Sequence, residues 1–232
     1  MIRIMTEEEI RYCEVKNAGT SKTKNKTFDK NGYLLVRDLI DPQNLVCKIP
    51  EITGLISYFG SLDNFDHLES DEMVDGSLCK YNYPPYKEVC YKIKKRVESI
   101  IGEDLYPTYY FDRVYYSGQE LPKHIDRPSC EISVSINIRT NLKDPWPLLI
   151  EDLNENTGKI IPIALNLNPG DGVIYKGCER PHWREPMPGV RRNKVRKLFG
   201  KEEFFYHQIF FHYVLANGNR VHYAWDTPEE YT

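Results

Sequence analysis

The second half of the chain alternates between apolar-rich runs and residues that favour turns. The runs combine β-branched and aromatic residues with polar ones, which is typical of strands. Ser117-Gly118 and the segment 169–172 (Pro-Gly-Asp-Gly) lie between runs and predict turns. The predicted strands are YPTYYFDRVYY, EISVSINI, WPLLIED, KIIPIALNL, VIYKG and FFYHQIFFHYVLANG. Many strands with few helices predict a barrel or a sandwich of two sheets.

The run EISVSINI has the strictest alternation in the chain. Glu131, Ser133, Ser135 and Asn137 fall on one face of this predicted strand, and the isoleucines and Val134 fall on the other. Polar residues on the inner face of a barrel usually line a ligand cavity. We therefore expect the apolar face to pack in the core and the polar face to border a binding site.

One segment of the first half predicts an amphipathic helix. In YPPYKEVCYKIKKRVESIIG, the apolar residues Val89, Ile93, Val97 and Ile100 recur at helical spacing, and Gly102 supplies a C-terminal stop. We expect this helix to pack on the sheet. The earlier run YLLVRDLI has the length of a buried strand.

Composition and charge narrow the class of protein. The chain has 232 residues, is 41% hydrophobic and contains 17 tyrosines, which fits one folded β-rich domain over residues 1–232. The net charge of −3 gives no global reason to expect nucleic acid or a membrane as partner. The start of the chain lacks a secretory signal pattern, so cytoplasm is the expected location. The six cysteines have no metal-site or disulfide spacing and are expected to be reduced.

His124 and Asp126 lie one residue apart just before EISVSINI, and this pair needs a third ligand to define a metal site. An isolated H-x-D is usually an ordinary surface pair. His182, in the segment GDGVIYKGCERPHWREP, follows another predicted turn, strand and turn. Two imidazoles and one carboxylate on one side of an ion leave other positions open, as in non-haem Fe(II) oxygenases.

These motifs together resemble the iron(II)- and 2-oxoglutarate-dependent dioxygenase superfamily, and its prolyl-hydroxylase-like branch in particular. HID at 124–126 and His182, 58 positions after His124, match the family's H-x-D...H motif, and SCEIS and HWRE accompany it. The resemblance covers residues 103–218. It implies a mainly β fold, the double-stranded β-helix or cupin-like jelly roll, with residues 1–102 as a supporting region that includes helices. It also implies that His124, Asp126 and His182 bind Fe(II).

The cosubstrate residues implied by the resemblance include one departure from the family pattern. Most relatives place an Arg or Lys on the strand after the distal histidine, where this chain has His207 and Gln208. Arg184 is the nearest basic residue, and it shares an inward face with His182 if the segment is extended. A salt bridge with an acid such as Glu185 is the alternative role for it. The expected contacts of 2-oxoglutarate are Arg184, Tyr116, Ser133, Asn137 and Gln208. Arg113 and Arg127 either join them or hold the metal loop.

The resemblance implies a hydroxylase that uses Fe(II), 2-oxoglutarate and O₂, with ascorbate as a possible support, and releases succinate and CO₂. Asp126 favours hydroxylation, because halogenating relatives have a small residue in its place. The expected substrate is a small molecule or a peptidyl side chain, prolyl among them. A non-catalytic metal-binding jelly roll and a nucleic-acid demethylase are the alternatives. The basic segment 190–201 is expected to be a loop, either solvated or acting as a lid or basic collar.

Overall fold

The computed structural model describes residues 3–4, 24–46, 68–70, 73–154, 157–199 and 203–226. Within these ranges the chain forms twelve strands arranged in two sheets. The strands are β1 (Arg3–Ile4), β2 (Tyr33–Val36), β3 (Leu68–Ser70), β4 (Leu78–Tyr81), β5 (Leu105–Tyr116), β6 (Leu121–His124), β7 (Ile132–Thr140), β8 (Leu148–Asn154), β9 (Lys159–Leu165), β10 (Gly172–Tyr175), β11 (His182–Arg184) and β12 (Phe205–Leu215).

The strands after residue 104 are shared between the two sheets as in a jelly roll. The larger sheet has the order β2-β10-β7-β12-β5-β4-β3, and the smaller has the order β1-β9-β8-β11-β6. Wherever two of the strands from β5 to β12 pair with each other, they run antiparallel. This arrangement is the double-stranded β-helix, so the predicted fold class is confirmed.

The alternation in β7 separates two buried environments. Ile132, Val134 and Ile136 belong to an apolar core on the outer face of the larger sheet. Ser133 and Ser135 lie on the inner face and are fully buried there. The polar face of the predicted strand therefore does face the interior between the sheets, as the alternation predicted.

Helices cover the outer face of the larger sheet. The structure contains α1 (Lys26–Asn31), α2 (Gln43–Val46), α3 (Lys87–Ile101), α4 (Val190–Leu198) and 3-10 helices at Pro84–Tyr86 and Val221–Asp226. The predicted amphipathic helix is confirmed as α3, whose Val89, Ile93 and Val97 are buried in the same core as β7. It ends at Gly102, which adopts a left-handed φ of 76°.

Two local predictions differ from the structure. The basic segment 190–201 is expected from the sequence to be a loop, but Val190–Leu198, which contains no Gly or Pro, forms α4. The strand expected in YLLVRDLI is limited to Tyr33–Val36, because Asp38 adopts a positive φ of 50° that ends the extended conformation. In the ranges that the structure describes, no helix has the length and apolar character needed to span a bilayer.

Candidate active site

The predicted ligand residues converge where β6 meets β11. His124 is the last residue of β6, and it pairs directly with His182, the first residue of β11. Asp126 follows β6, and its backbone N–H donates to the carbonyl of Gly177 at 2.9 Å. The Nε2 atoms of His124 and His182 each lie 3.5 Å from Asp126 Oδ1. Strand pairing therefore joins two residues that are far apart in the sequence.

The hydrogen bonds of the two imidazoles determine which nitrogen faces Asp126. His124 Nδ1 lies 2.8 Å from the carbonyl of Pro122, and His182 Nδ1 lies 3.0 Å from the carbonyl of Arg180. Because a carbonyl only accepts, each Nδ1 carries a hydrogen, so Nε2 is the nitrogen of each ring that is left to bind a metal ion. Burial lowers the pKa of His182, which favours the neutral ring.

Asp126 is held as a carboxylate within this cluster. Ser133 Oγ donates to its Oδ2 at 2.6 Å. Burial alone would raise the pKa of Asp126, but the neighbouring His124 and His182 lower it more, so the pKa lies well below its ordinary value. The carboxylate is therefore ionised at neutral pH, which is the form that binds a metal ion.

Gly177 has no side chain, and the carboxylate of Asp126 occupies the space that a side chain would fill. A β-carbon at position 177 would collide with Asp126 Oδ2, the carbonyl of Cys130 and Ser133 Oγ. Any larger residue must displace at least one of these groups, and the Cys130 carbonyl belongs to the backbone. The close approach of Gly177 therefore fixes the position of the carboxylate.

The three side chains fit a divalent metal ion. Their ligand atoms all lie within 4.8 Å of one another. An ion with nitrogen and oxygen ligands at about 2.1 Å places adjacent ligand atoms about 3 Å apart, close to the 3.5 Å separations from Asp126. The carbonyls that hold the two imidazoles and the Ser133 hydroxyl that holds the carboxylate form the second layer of contacts that metal ligands in proteins normally have.

The triad opens into a cavity of about 340 Å³ between the sheets. Its wall includes stacked rings of Phe111 and Phe210, with centroids 4.4 Å apart. Arg127 lies over the ring of Tyr109 at 4.1 Å at the same cavity. The other lining residues are Met73, Arg113, Leu121, His124, Ile125, Asp126, Cys130, Tyr175, His182 and His212. The wall therefore combines aromatic and aliphatic side chains with a few charged groups, Arg113 and Arg127 among them, that can orient a ligand.

Arg184 lies on the inward face, as expected, but deeper than the cavity. Only 1% of its surface is exposed, and its guanidinium packs over Trp146 at 4.7 Å and Tyr206 at 4.6 Å. It donates to the carbonyl of Trp146 and, at 3.4 Å, to the hydroxyl of Tyr206. Its Nε has no hydrogen-bond partner in the part of the chain that the structure describes. Glu185 instead accepts from the indole of Trp183 at 3.0 Å.

The other expected cosubstrate residues are distributed unevenly. Ser133 contacts Asp126 and, at 3.0 Å, His212 Nδ1. Asn137 is buried at the far end of β7 and donates to the carbonyl of Leu167 at 2.9 Å. Gln208 is its neighbour on β12 and donates to Ser135. Tyr116 alternates to the face opposite Arg113, and the structure does not bring it to the triad.

Sequence patterns mark only one of three further residues at this site, His212. Cys130 and His212, with Asp126, form a second group whose ligand atoms lie within 4.8 Å of one another. Gly177 was not recognised, because close approach of a backbone depends on contacts from distant segments. The period of two in FFYHQIFFHYV was a usable signal for His212, since it places this residue on the same face as Gln208.

Comparisons with known proteins support the fold. No protein-family model and no curated protein matches the sequence. Among solved structures, a prolyl-4-hydroxylase from Pseudomonas putida is 13% identical with a TM-score of 0.50, and the match covers 80% of this chain and 94% of that one. EctD from S. alaskensis is 13% identical with a TM-score of 0.56, covering 88% and 81%.

A third similar structure contains ligands. HygX from Streptomyces hygroscopicus, with nickel and 2-oxoglutarate bound, is 9% identical with a TM-score of 0.54, and the match covers 82% of this chain and 85% of HygX. At identities this low, the structural similarity shows only a shared fold, the double-stranded β-helix of 2-oxoglutarate- and Fe(II)-dependent oxygenases. They leave the chemistry of this chain to be argued from its own residues.

Proposed function

We propose that this protein is an iron(II)- and 2-oxoglutarate-dependent oxygenase that hydroxylates an organic substrate. One observation supports this most strongly: the Nε2 atoms of His124 and His182 and a carboxylate oxygen of Asp126 meet at the wall of an open cavity. Three protein ligands on one side of an ion leave positions open for a chelating cosubstrate and for O₂. A closed structural site would instead surround the ion with protein ligands.

Iron and 2-oxoglutarate, when bound, supply the oxidising chemistry, in which O₂ is consumed and 2-oxoglutarate is converted to succinate and CO₂. The chain's own part is to bind, orient and shield. His124, His182 and Asp126 hold the ion, and the carbonyls of Pro122 and Arg180 fix the two imidazoles through their Nδ1–H groups. The aromatic wall of Phe111 and Phe210 limits access of water to the reacting groups.

The proposed substrate is a small molecule or a peptidyl side chain, prolyl among them. A cavity of about 340 Å³ lies at the lower end of the sizes that hold small ligands, so a compact reacting group fits best. Basic helix α4 contributes no described residue to the wall of this cavity, so its charge does not favour the demethylase alternative. The reducing cytoplasm expected from the sequence would suit ferrous iron and the free cysteines.

The direct test is turnover without a known substrate. Protein incubated with Fe(II), ascorbate, O₂ and 2-oxoglutarate should release succinate slowly, and a panel of amino acids, prolyl peptides and nucleosides should identify compounds that accelerate it. His182→Ala should release none, because the ion loses a ligand. Absence of succinate, together with no thermal shift on adding metal and 2-oxoglutarate, would favour the non-catalytic alternative.

A further inference from the structure

The proposed function requires a cation for the distal carboxylate of 2-oxoglutarate, and we infer that Arg113 supplies it. The inference rests on that proposed function. It differs from the sequence-based assignment, which gave this role to Arg184. Three features of Arg113 lead to it: its place at the cavity, its partner across the sheet and the surroundings of its guanidinium.

Arg113 shares a cavity with the metal ligands. It lines the same 340 Å³ space as His124, Asp126 and His182, whereas Arg184 is not among the described residues that line it. A dicarboxylate that chelates the ion extends from it by only a few bond lengths, so the cation that binds its far end must face this space. Arg113 is 4% exposed and therefore lies in a poorly hydrated environment, where pairing with a carboxylate is strong.

Arg113 also lies directly opposite the position where the family pattern has its cation. On the adjacent strands β5 and β12, Arg113 pairs with Gln208. Directly opposed residues have β-carbons about 5 Å apart, so a long side chain from either position reaches the same region. The positive charge that most relatives carry on β12 is thus carried here on the neighbouring strand. The absence of a basic residue at position 208 is then compatible with binding of 2-oxoglutarate.

Neighbouring side chains hold the guanidinium of Arg113 in place at the cavity. Its Nη1 donates to the hydroxyl of Tyr115 at 2.8 Å, and the rings of Phe111 and Phe210 lie 5.3 and 5.5 Å from its central carbon. Aromatic faces orient the planar group, which presents parallel N–H donors to a carboxylate. Arg184, by contrast, directs its Nη1 and Nη2 donors at Trp146 and Tyr206 in the deeper layer, away from the residues that line the cavity.

The test compares two keto acids on the nickel-loaded protein by calorimetry: 2-oxoglutarate and 2-oxobutyrate, which lacks the distal carboxylate. Wild type should bind 2-oxoglutarate about 100-fold more tightly, the size expected for a buried charged pair. Arg113→Gln should remove this preference and leave nickel affinity unchanged. Adding Gln208→Arg to that variant should restore the preference, because the charge returns from the opposite strand.

Arg184→Gln and the exposed Arg192→Gln are the matched controls, and both should keep the preference. Loss of the preference in Arg184→Gln with retention in Arg113→Gln would overturn the inference. If Arg113→Gln does not fold, Arg113→Lys should fold and retain most of the preference, and its complete loss would count against the role. Wild type that binds nickel but neither keto acid would instead refute the proposed function.

Discussion

Among the described residues, one cluster of histidine and aspartate lies between the two sheets and another lies on the outer face of the larger sheet, and they differ in how their charges are balanced. On the inner face, Asp126 lies among His124, His182 and Ser133 at an open cavity. On the outer face, Asp112 lies under the helical layer with His207 Nε2 at 2.9 Å and Lys80 Nζ at 2.8 Å.

The charge of Asp112 in the outer cluster is balanced by neighbouring side chains. Asp112 also accepts from the hydroxyl of Tyr86 at 2.8 Å and from the backbone N–H of Lys80 at 3.1 Å. Its negative charge is thus neutralised by a buried lysine. In the inner cluster the Nε2 atoms of two histidines face the carboxylate, and no lysine is among the described contacts. Identical residue types therefore form a structural network in one place and a metal-binding arrangement in the other.

The largest expected effect separates the clusters by metal affinity. Asp126→Ala should lower affinity for Ni(II), used as a stable substitute for Fe(II), by more than about 100-fold, since losing a ligand costs more than losing a group that orients one. Without metal, the free energy of unfolding should also fall, by about 2 kcal/mol at neutral pH, because the folded state stabilises this ionised carboxylate and lowers its pKa. Calorimetry and urea denaturation measure the two quantities. Nickel affinity that survives this change would exclude Asp126 as a ligand.

Asp112→Asn should lower stability but leave nickel affinity nearly unchanged. It leaves Lys80 buried without its carboxylate, and we expect the free energy of unfolding to fall by about 3 kcal/mol. Nickel affinity of the folded protein should stay within roughly threefold of wild type, because the outer cluster does not reach the cavity. Asp144→Asn, in an exposed loop, is the control and should change neither quantity. A large loss of nickel affinity in Asp112→Asn would show that the two clusters are coupled.

A change at Gly177 tests the packing that positions the inner carboxylate. Gly177→Ala should lower nickel affinity by about 10- to 100-fold, since the new methyl group displaces Asp126 or Ser133. The matched control is Gly158→Ala, where no atom lies within 4 Å of the added carbon; its positive φ of 64° predicts a small loss of stability and no change in nickel affinity. Equal nickel affinities in Gly177→Ala and wild type would contradict the role given to this glycine.

In metal-free protein both clusters contribute to the acid dependence of stability, because the pKa of Asp112 and that of Asp126 are each lowered in the folded state. Burial would raise the pKa of Asp112, but Lys80 and His207 lower it from 3.8 to about 2. Stability from this group is therefore present above about pH 4 and lost as the pH falls toward 2, amounting to about 2 kcal/mol. Burial lowers the pKa of His207, so protonation of the unfolded chain begins to reduce stability near pH 6.5. Urea denaturation between pH 3 and 7 should show a shallower decline in Asp112→Asn than in wild type.

The comparison also shows where sequence patterns are informative. The two faces of β7 and the buried stripe of α3 followed from side-chain periodicity, because strands and helices repeat at fixed intervals. His207 and Gln208 are adjacent in the sequence, yet one joins the outer cluster and the other lies on the inner face. Alternation predicts that the two side chains point to opposite faces of the sheet. It does not predict that His207 meets Asp112 and Lys80 on the outer face.

The chain's own order of residues determined the strand-rich fold, the amphipathic helix and the set of ligand candidates, since each depends on local periodicity or on a short motif. Tertiary structure alone decided that His182 pairs with His124, that Gly177 makes room for Asp126 and that Arg113 rather than Arg184 faces the cavity. These outcomes depend on the register between strands and on which side chains meet across the two sheets. Register and contacts of this kind involve residues that are remote along the chain, so no local sequence pattern encodes them.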